Sequence, residues 1–135
     1  MELPAVGEVF AATRLVTQEQ IAAYAEASGD RNPLHLDPAF AAATPLGGTV
    51  AHGMLVLAWL SALLARAFGR SWIEHGSLRV RFRAPARPGD TLHVRAVVRS
   101  VRVDGGAADV GLDVRVSNER GEEVVGGDGA VRLEG

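Results

Sequence analysis

The stretch GMLVLAWLSALLARAF, residues 53–68, decides the fold of this chain. Its apolar residues fall on every side of the helix that the stretch predicts, and Arg66 is its first charged residue. A helix that is apolar all round has to be buried all round. We therefore predict that residues 53–68 form a central helix that other parts of the molecule enclose.

Beyond Gly69 the apolar period shortens to two residues, which is typical of strands with one buried face. The alternating segments are residues 78–84, 92–98 and 108–117. Turns are expected at residues 104–106 and 118–121, and a glycine-rich last strand at residues 124–133. A phase shift near Val98 predicts a β-bulge. The pattern predicts an α+β fold, a curved antiparallel sheet wrapped around the long buried helix. Because a sheet covers only one side of a helix, we expect the short N-terminal helix, a loop or a second subunit to cover the rest, which favours a dimer.

The chain ahead of the central helix predicts shorter elements. Residues 7–16 favour an opening strand, and Thr17 with Gln20 forms the pattern of a helix capping box. Gly29 can end the helix that Thr17 begins, because glycine readily adopts the left-handed conformation of a C-cap.

An irregular loop is expected at residues 29–38, GDRNPLHLDP, because its two prolines oppose a continuing helix. Leucines on both sides of His35 suggest that this loop is anchored in the core. Residues 38–43 allow one or two helical turns, and residues 44–50 form a glycine-rich connector.

Composition excludes several classes of protein. The chain has 135 residues, 47% of them hydrophobic, which fits one domain over residues 1–135 with a core that needs no disulfide. It contains no cysteine, and its net charge of −2 argues against a surface for nucleic acid or anionic membranes. Residues 1–10 lack the basic region of a signal peptide, and the longest apolar stretch is too short to cross a bilayer. We expect a soluble, cytoplasmic protein.

Asp30 and His35 are the residues best placed to carry chemistry. None of the four histidines has a partner at the i, i+4 spacing of a helical metal site, and no phosphate loop or Gly-x-Ser-x-Gly motif occurs. A carboxylate and an imidazole in one stiff loop can hold a water between them and move its protons. Asn32 would help to fix that loop. The alternative interpretation is an ordinary Asx turn beside a histidine with satisfied hydrogen bonds.

Further candidates lie on the central helix and the strand that follows it. The Gly53 N–H is an unpaired first-turn donor at the positive end of the helix, so it can serve as an oxyanion hole, or the glycine can simply allow tight packing. Ser61 lies two turns on, rotated by about 80°, and either faces the same pocket or bonds a helix carbonyl. Arg79, Arg81 and Arg83 either meet phosphates or form the solvated side of a sheet. His52 either orients the start of the helix or fills the core.

Several of these segments together resemble the MaoC-like dehydratase family, which includes the (R)-specific enoyl-CoA hydratases. The segments that carry the resemblance are Tyr24-x-x-x-Ser28-Gly29-Asp30-x-Asn32-Pro33-Leu34-His35-x-Asp37, Ala51-His52-Gly53-Met54-Leu55, Arg81-Phe82-Arg83-Ala84-Pro85 and Pro88-Gly89-Asp90. They span almost the whole chain in order. The resemblance implies a single hot-dog unit.

The resemblance also assigns roles by position. Asp30 and His35 match the catalytic pair that holds the water, and Gly53 matches the glycine whose N–H binds the thioester carbonyl. Ser61 matches a helix serine near the site, and Asn32 matches an asparagine that shapes the loop. The run of basic residues on the strand around Arg81 departs from the more neutral strand expected, which leaves the preferred acyl carrier open.

The expected activity is the reversible hydration of trans-2-enoyl thioesters to (R)-3-hydroxyacyl thioesters. The substrate would be an acyl-CoA or an acyl-carrier-protein thioester, and no metal or redox cofactor is expected. We expect a homodimer or a higher oligomer. We expect no nucleic-acid partner and no association with a membrane. Two alternatives are a hot-dog thioesterase and a non-catalytic acyl-binding module or partner subunit of a hetero-oligomeric dehydratase.

Overall fold

The computed structural model describes residues 2–135, so Met1 of the predicted domain lies outside the described residues. Within that range the chain forms five helices and five strands: β1 Val9–Leu15, α1 Gln18–Ser28, α2 Pro33–Leu36, α3 Pro38–Ala42, α4 Gly53–Phe68, α5 Arg70–His75, β2 Gly76–Phe82, β3 Thr91–Asp104, β4 Ala107–Asn118 and β5 Glu123–Glu134. The strands form one antiparallel sheet in the order β1-β3-β4-β5-β2. This order leaves β1 and β2 at the two edges.

The core lies between α4 and one face of the sheet. The buried side chains of α4 are those of Leu55, Val56, Leu60, Leu63 and Leu64. They pack in one cluster with the alternate, inward-facing residues of β3 and β4, namely Leu92, Val94, Ala96, Val98, Val110, Leu112, Val114 and Val116. Burial of this apolar surface is the main force that holds the helix on the sheet. The predicted α+β hot-dog arrangement is confirmed.

Three local predictions are confirmed: the capping box that begins α1, the glycine that ends it and the bulge in β3. The Thr17 side chain accepts from the Gln20 N–H, and the Gln20 side chain accepts from the Thr17 N–H, which completes the capping box. Gly29 ends α1 with φ of 79°, in the left-handed region. The register of β3 against β4 shifts between Val98 and Ser100, where the bulge is predicted.

Two short helices differ from the sequence prediction. The loop predicted as irregular contains α2, because Asn32 caps it and Pro33 occupies its first turn, where proline's missing N–H costs nothing. The segment after Gly69, predicted to turn directly into a strand, first forms α5. The buried Trp72 holds α5 in the core.

Within one chain α4 is buried on some sides only, so the complete burial that the sequence predicts would need the second subunit considered above. Met54 is 56% exposed, and Ala58 and Ala62 continue the exposed stripe one and two turns further along the helix. The sheet and α5 pack against other sides of α4, and nothing in residues 2–135 covers this one. No helix in those residues is both long enough and apolar enough to span a bilayer.

Candidate active site

Hydrogen bonds between residues close in sequence shape the loop that carries Asp30. The Asn32 N–H donates to Asp30 Oδ1 at 3.3 Å, which forms an Asx turn. Asn32 Oδ1 in turn accepts from the Leu34 N–H at 3.0 Å and caps α2, the helix that carries His35. The Asx turn of the alternative interpretation is therefore present, but it occupies only one oxygen of the Asp30 carboxylate.

The other carboxylate oxygen faces His35. Asp30 Oδ2 lies 3.8 Å from His35 Nε2, which is too far for a direct hydrogen bond and leaves both atoms facing the same small space. The Asp30 side chain is 56% exposed, and the His35 side chain is 13% exposed. His35 Nδ1 lies 2.8 Å from the Val50 carbonyl. A carbonyl only accepts, so Nδ1 carries a proton, and Nε2 is the ring nitrogen that faces Asp30.

His52 lies directly behind this pair. It is 3% exposed, and its Nε2 donates to the backbone carbonyl of Asp30 at 2.9 Å. Its ring stacks on that of His35 with centroids 3.8 Å apart and an interplanar angle of 24°. The ring of Tyr24 packs against His52 at 4.8 Å. Among the described residues, His52 Nδ1 is a buried polar atom without a hydrogen-bond partner.

Gly53 opens α4 immediately after His52, which is the N-cap residue. No side chain caps this end of the helix, so the N–H groups of Gly53 and Met54 remain available, while that of Leu55 donates to the His52 carbonyl at 3.0 Å. Gly53 lines a cavity of about 320 Å³ together with Val50, Phe82 and Arg83. A Cβ on Gly53 would lie 3.0 Å from Phe82 Cε1, so glycine leaves room at the cavity wall. Val50 links this Gly53 cavity to His35, because its carbonyl accepts from the His35 ring.

Ser61 lies away from this group within a single chain. Its hydroxyl accepts a hydrogen bond from Trp72 Nε1 at 2.9 Å. It lines a separate depression with Ile73 and Leu78, and not the Gly53 cavity. The structure therefore brings Asp30 and His35 together against His52, the residue that precedes Gly53, and leaves Ser61 apart. Asp30 and His35 do not themselves line the Gly53 cavity.

The basic strand contributes one residue to the cavity wall. Arg83 lines the Gly53 cavity and forms an ion pair with Glu123 at 2.8 Å. Arg79 and Arg81 are exposed on the edge strand β2 and line a neighbouring groove that also includes Arg83. This placement is compatible with both sequence interpretations of the three arginines, contact with phosphates and the solvated side of a sheet.

Asp30, His35 and His52 each offer a metal-ligand atom, and these atoms lie within 4.8 Å of one another. The sequence did not reveal this group, because His52 comes from a different element. Two stacked imidazoles direct their in-plane lone pairs nearly parallel, so they do not converge on one ion. One nitrogen of each ring is also bonded to a backbone carbonyl. The arrangement fits a hydrogen-bonded site better than a metal site.

Comparisons with known proteins agree with this geometry. The chain is 36% identical to the (R)-specific enoyl-CoA hydratase of Aeromonas caviae over 84% of each protein. It is 37% identical to the 3-hydroxybutyryl-CoA dehydratase of Methylorubrum extorquens, over 62% of this chain and 53% of that protein. The solved structure of the (R)-hydratase from A. caviae superimposes with a TM-score of 0.84 over all of both chains, at 29% identity.

The sequence model of the MaoC-like domain matches residues 4–119. That match covers the Asp30 loop, the start of α4 and four of the five strands, β1 to β4. The chain therefore belongs to the MaoC-like domain family.

Proposed function

We propose that this protein adds water to trans-2-enoyl thioesters and removes it from (R)-3-hydroxyacyl thioesters. The observation that carries the proposal is the 3.8 Å gap between Asp30 Oδ2 and His35 Nε2, next to the uncapped start of α4 at Gly53. A carboxylate and an imidazole at this spacing can orient one water between them. The names of the A. caviae and M. extorquens relatives, an enoyl-CoA hydratase and a 3-hydroxybutyryl-CoA dehydratase, support the same reaction.

In the hydration direction, the oxygen of the held water bonds to C3 of the enoyl chain, and C2 gains a proton. The thioester itself stays intact. Asp30 and His35 together accept one proton of the water and return one to C2, and the coupled pair shares the role of base. As C2 becomes enolate-like, charge develops on the thioester oxygen. The Gly53 N–H, at the positive end of α4, stabilises that charge.

The carrier of the acyl group is coenzyme A in this proposal, with an acyl-carrier-protein thioester as the alternative. Coenzyme A is the carrier named for both relatives above. The Gly53 cavity, bounded by Phe82 and Val56, would accept the acyl thioester, and Arg83 stands at its wall. The cytoplasmic location expected from the sequence stays a prediction.

A second copy of this chain would cover the exposed side of α4. Met54, Ala58 and Ala62 form an apolar stripe on that helix, and Ile73 and Phe82 add further exposed apolar surface, 77% and 53% exposed respectively. Apolar helix faces of this kind mark interfaces. The stripe begins one residue after Gly53, so the partner would also close the side of the site that is open in one chain.

Crotonyl-CoA hydration tests the proposal. We predict that the wild-type protein removes the enoyl absorbance of crotonyl-CoA and that Asp30→Asn and His35→Ala each lower kcat by about 100- to 10,000-fold, the usual loss of a general acid–base group. His93→Ala is the matched control, because His93 is exposed on β3 and lies on the opposite side of the sheet from α4.

The result against the proposal would be unchanged rates in both site variants, or the absence of hydration by the wild type. A thiol-trapping reagent in the same reaction separates the thioesterase alternative, because only hydrolysis releases free coenzyme A. Thiol release without hydration would replace the proposed reaction by hydrolysis.

A further inference from the structure

His52 is a buried ionisable residue that takes no part in the proposed reaction, yet it contacts both members of the Asp30–His35 pair. We propose that His52 is a positioning residue whose single ring holds Asp30 and His35 at their observed separation. The inference rests on the proposed function, since it names what orients that site. It draws on the contacts, the burial and the protonation state of the His52 ring.

The first contact fixes the backbone of Asp30. His52 Nε2 lies 2.9 Å from the Asp30 carbonyl, which only accepts, so Nε2 carries the proton. The other hydrogen bonds of Asp30 among the described residues run to Ser28 and Asn32, two residues away on either side. These bonds between residues close in sequence shape the loop but do not attach it to the rest of the molecule. The bond from His52 does so, because it spans 22 residues of sequence.

The second contact fixes the tilt of the His35 ring. The hydrogen bond from His35 Nδ1 to the Val50 carbonyl sets the direction of the ring in its own plane but allows rotation about the bond. Stacking on His52, at 3.8 Å and 24°, restricts that rotation. Tyr24 packs on His52 and restricts it in turn. A displacement of His52 would therefore move both reacting side chains together.

The contacts of His52 give it no route for passing a proton to the reacting groups. Its Nδ1 is buried without a partner in residues 2–135, so this atom is a lone pair when Nε2 carries the hydrogen. Its Nε2 is bonded to a backbone carbonyl, which accepts a hydrogen bond and does not take the proton. His52 thus orients the pair and is not itself a general acid or base.

Two variants separate the hydrogen bond from the ring. His52→Phe keeps a ring that can stack on His35 but removes the donor to Asp30. His52→Gln removes the ring but keeps a side-chain N–H donor of similar reach. With crotonyl-CoA as substrate, we expect His52→Phe to lower kcat about 10- to 100-fold with KM within about threefold, as loss of a supporting contact does. We expect His52→Gln to lower kcat as well but by less, because it keeps the donor to Asp30 and loses only the stacking on His35.

A stability control distinguishes positioning from folding. Asn118 is also buried, and its side chain holds the turn between β4 and β5, away from the site. Asn118→Ala should lower Tm while kcat below Tm stays within about twofold of wild type. A His52→Phe kcat within about twofold of wild type would overturn the proposal. A His52→Gln kcat within about twofold of wild type would overturn it too, because the stacked ring would then not matter.

The histidine tautomers give a second test that needs no variant. Nitrogen–proton correlation spectra of the wild-type protein should show a proton on Nε2 of His52 and on Nδ1 of His35. A His52 Nε2 without a proton would overturn the inference even if His52→Phe did not fold. If the tautomers are as expected but crotonyl-CoA is not hydrated, the proposed function fails while the positioning contact is supported.

Discussion

The hydroxyl of Ser61 accepts the indole N–H of Trp72, a residue that is 6% exposed, and this bond joins α4 to α5. A buried N–H that loses its acceptor costs about 1–3 kcal/mol. We predict that Ser61→Ala lowers the free energy of unfolding by about 1–2 kcal/mol in urea denaturation. The double variant Ser61→Ala with Trp72→Phe should lose less than the sum of the two single variants, since no polar atom is then left alone.

The same variants separate the two roles considered for Ser61. Unchanged stability of Ser61→Ala together with a large rise in KM for crotonyl-CoA would place the hydroxyl at the substrate, as the family resemblance implies. In that case a partner subunit would have to bring Ser61 to the Gly53 cavity, because the residue does not line it within one chain.

At the scale of residues, the sequence could predict the group formed by Asp30, His35 and Gly53. The first two share one stiff loop, and the glycine begins a helix whose position the apolar pattern indicates. The part played by His52 could not be predicted, because its contact with Asp30 joins residues 22 apart and depends on how the loop folds back on the helix. The two sequence interpretations of His52 are that it orients the start of α4 or that it fills the core, and the second includes its burial.

Among the larger elements, β3, β4 and β5 are joined on the outer face of the sheet by a row of charges. Asp109 on β4 accepts two hydrogen bonds from Arg132 on β5, at 2.9 and 3.1 Å, and one from Arg102 on β3 at 3.3 Å. The hydrogen bonds from Arg132, followed by those from Arg102, lower the pKa of the Asp109 carboxyl below its ordinary value of 3.8. The charged form of Asp109 is thus favoured by folding.

This row of charges makes part of the stability dependent on pH. Because the folded-state pKa of Asp109 is lowered, its contribution is fully present above pH 3.8 and is lost as the pH falls through the lowered value. We predict that Asp109→Asn is less stable than wild type near neutral pH and that the difference in urea midpoint shrinks below about pH 4. A difference that stays constant down to about pH 2 would contradict this account.

The strands were predictable because alternation in segments such as residues 108–117 leaves one face apolar, and that face is the buried one. Of the three short helices, α3 was predictable and α2 and α5 were not. The six residues of α5 contain no apolar repeat, and the position of this helix depends on the packing of Trp72 against α4. In α2, one cap at Asn32 and one proline suffice to form a single turn. Such short elements depend on local caps and on tertiary contacts more than on periodicity.

For the whole molecule, the apolar composition of α4 indicated burial but not the partner that provides it. The sheet covers one side, and the stripe of Met54, Ala58 and Ala62 stays exposed. We predict that the protein is a dimer by light scattering at micromolar concentration. Ala62→Glu should weaken the dimer at least about 100-fold by placing a charge in the interface, while Glu remains compatible with a helix.

Ala22→Glu is the matched control, because Ala22 is an exposed alanine of α1 rather than α4. It should leave the dimer intact. A wild-type protein that stays monomeric at these concentrations, or an Ala62→Glu variant that dimerises as well as wild type, would show that the stripe on α4 is not the interface.

The stereochemistry of hydration tests the central claim most directly. Wild-type protein is incubated with crotonyl-CoA in water enriched in oxygen-18, and the product is analysed by mass spectrometry and chiral chromatography. If Asp30 and His35 hold the attacking water beside Gly53, the product is (R)-3-hydroxybutyryl-CoA with the heavy oxygen on C3 and the thioester intact. An (S) product, heavy oxygen in a released carboxylic acid, or unreacted crotonyl-CoA would contradict the account.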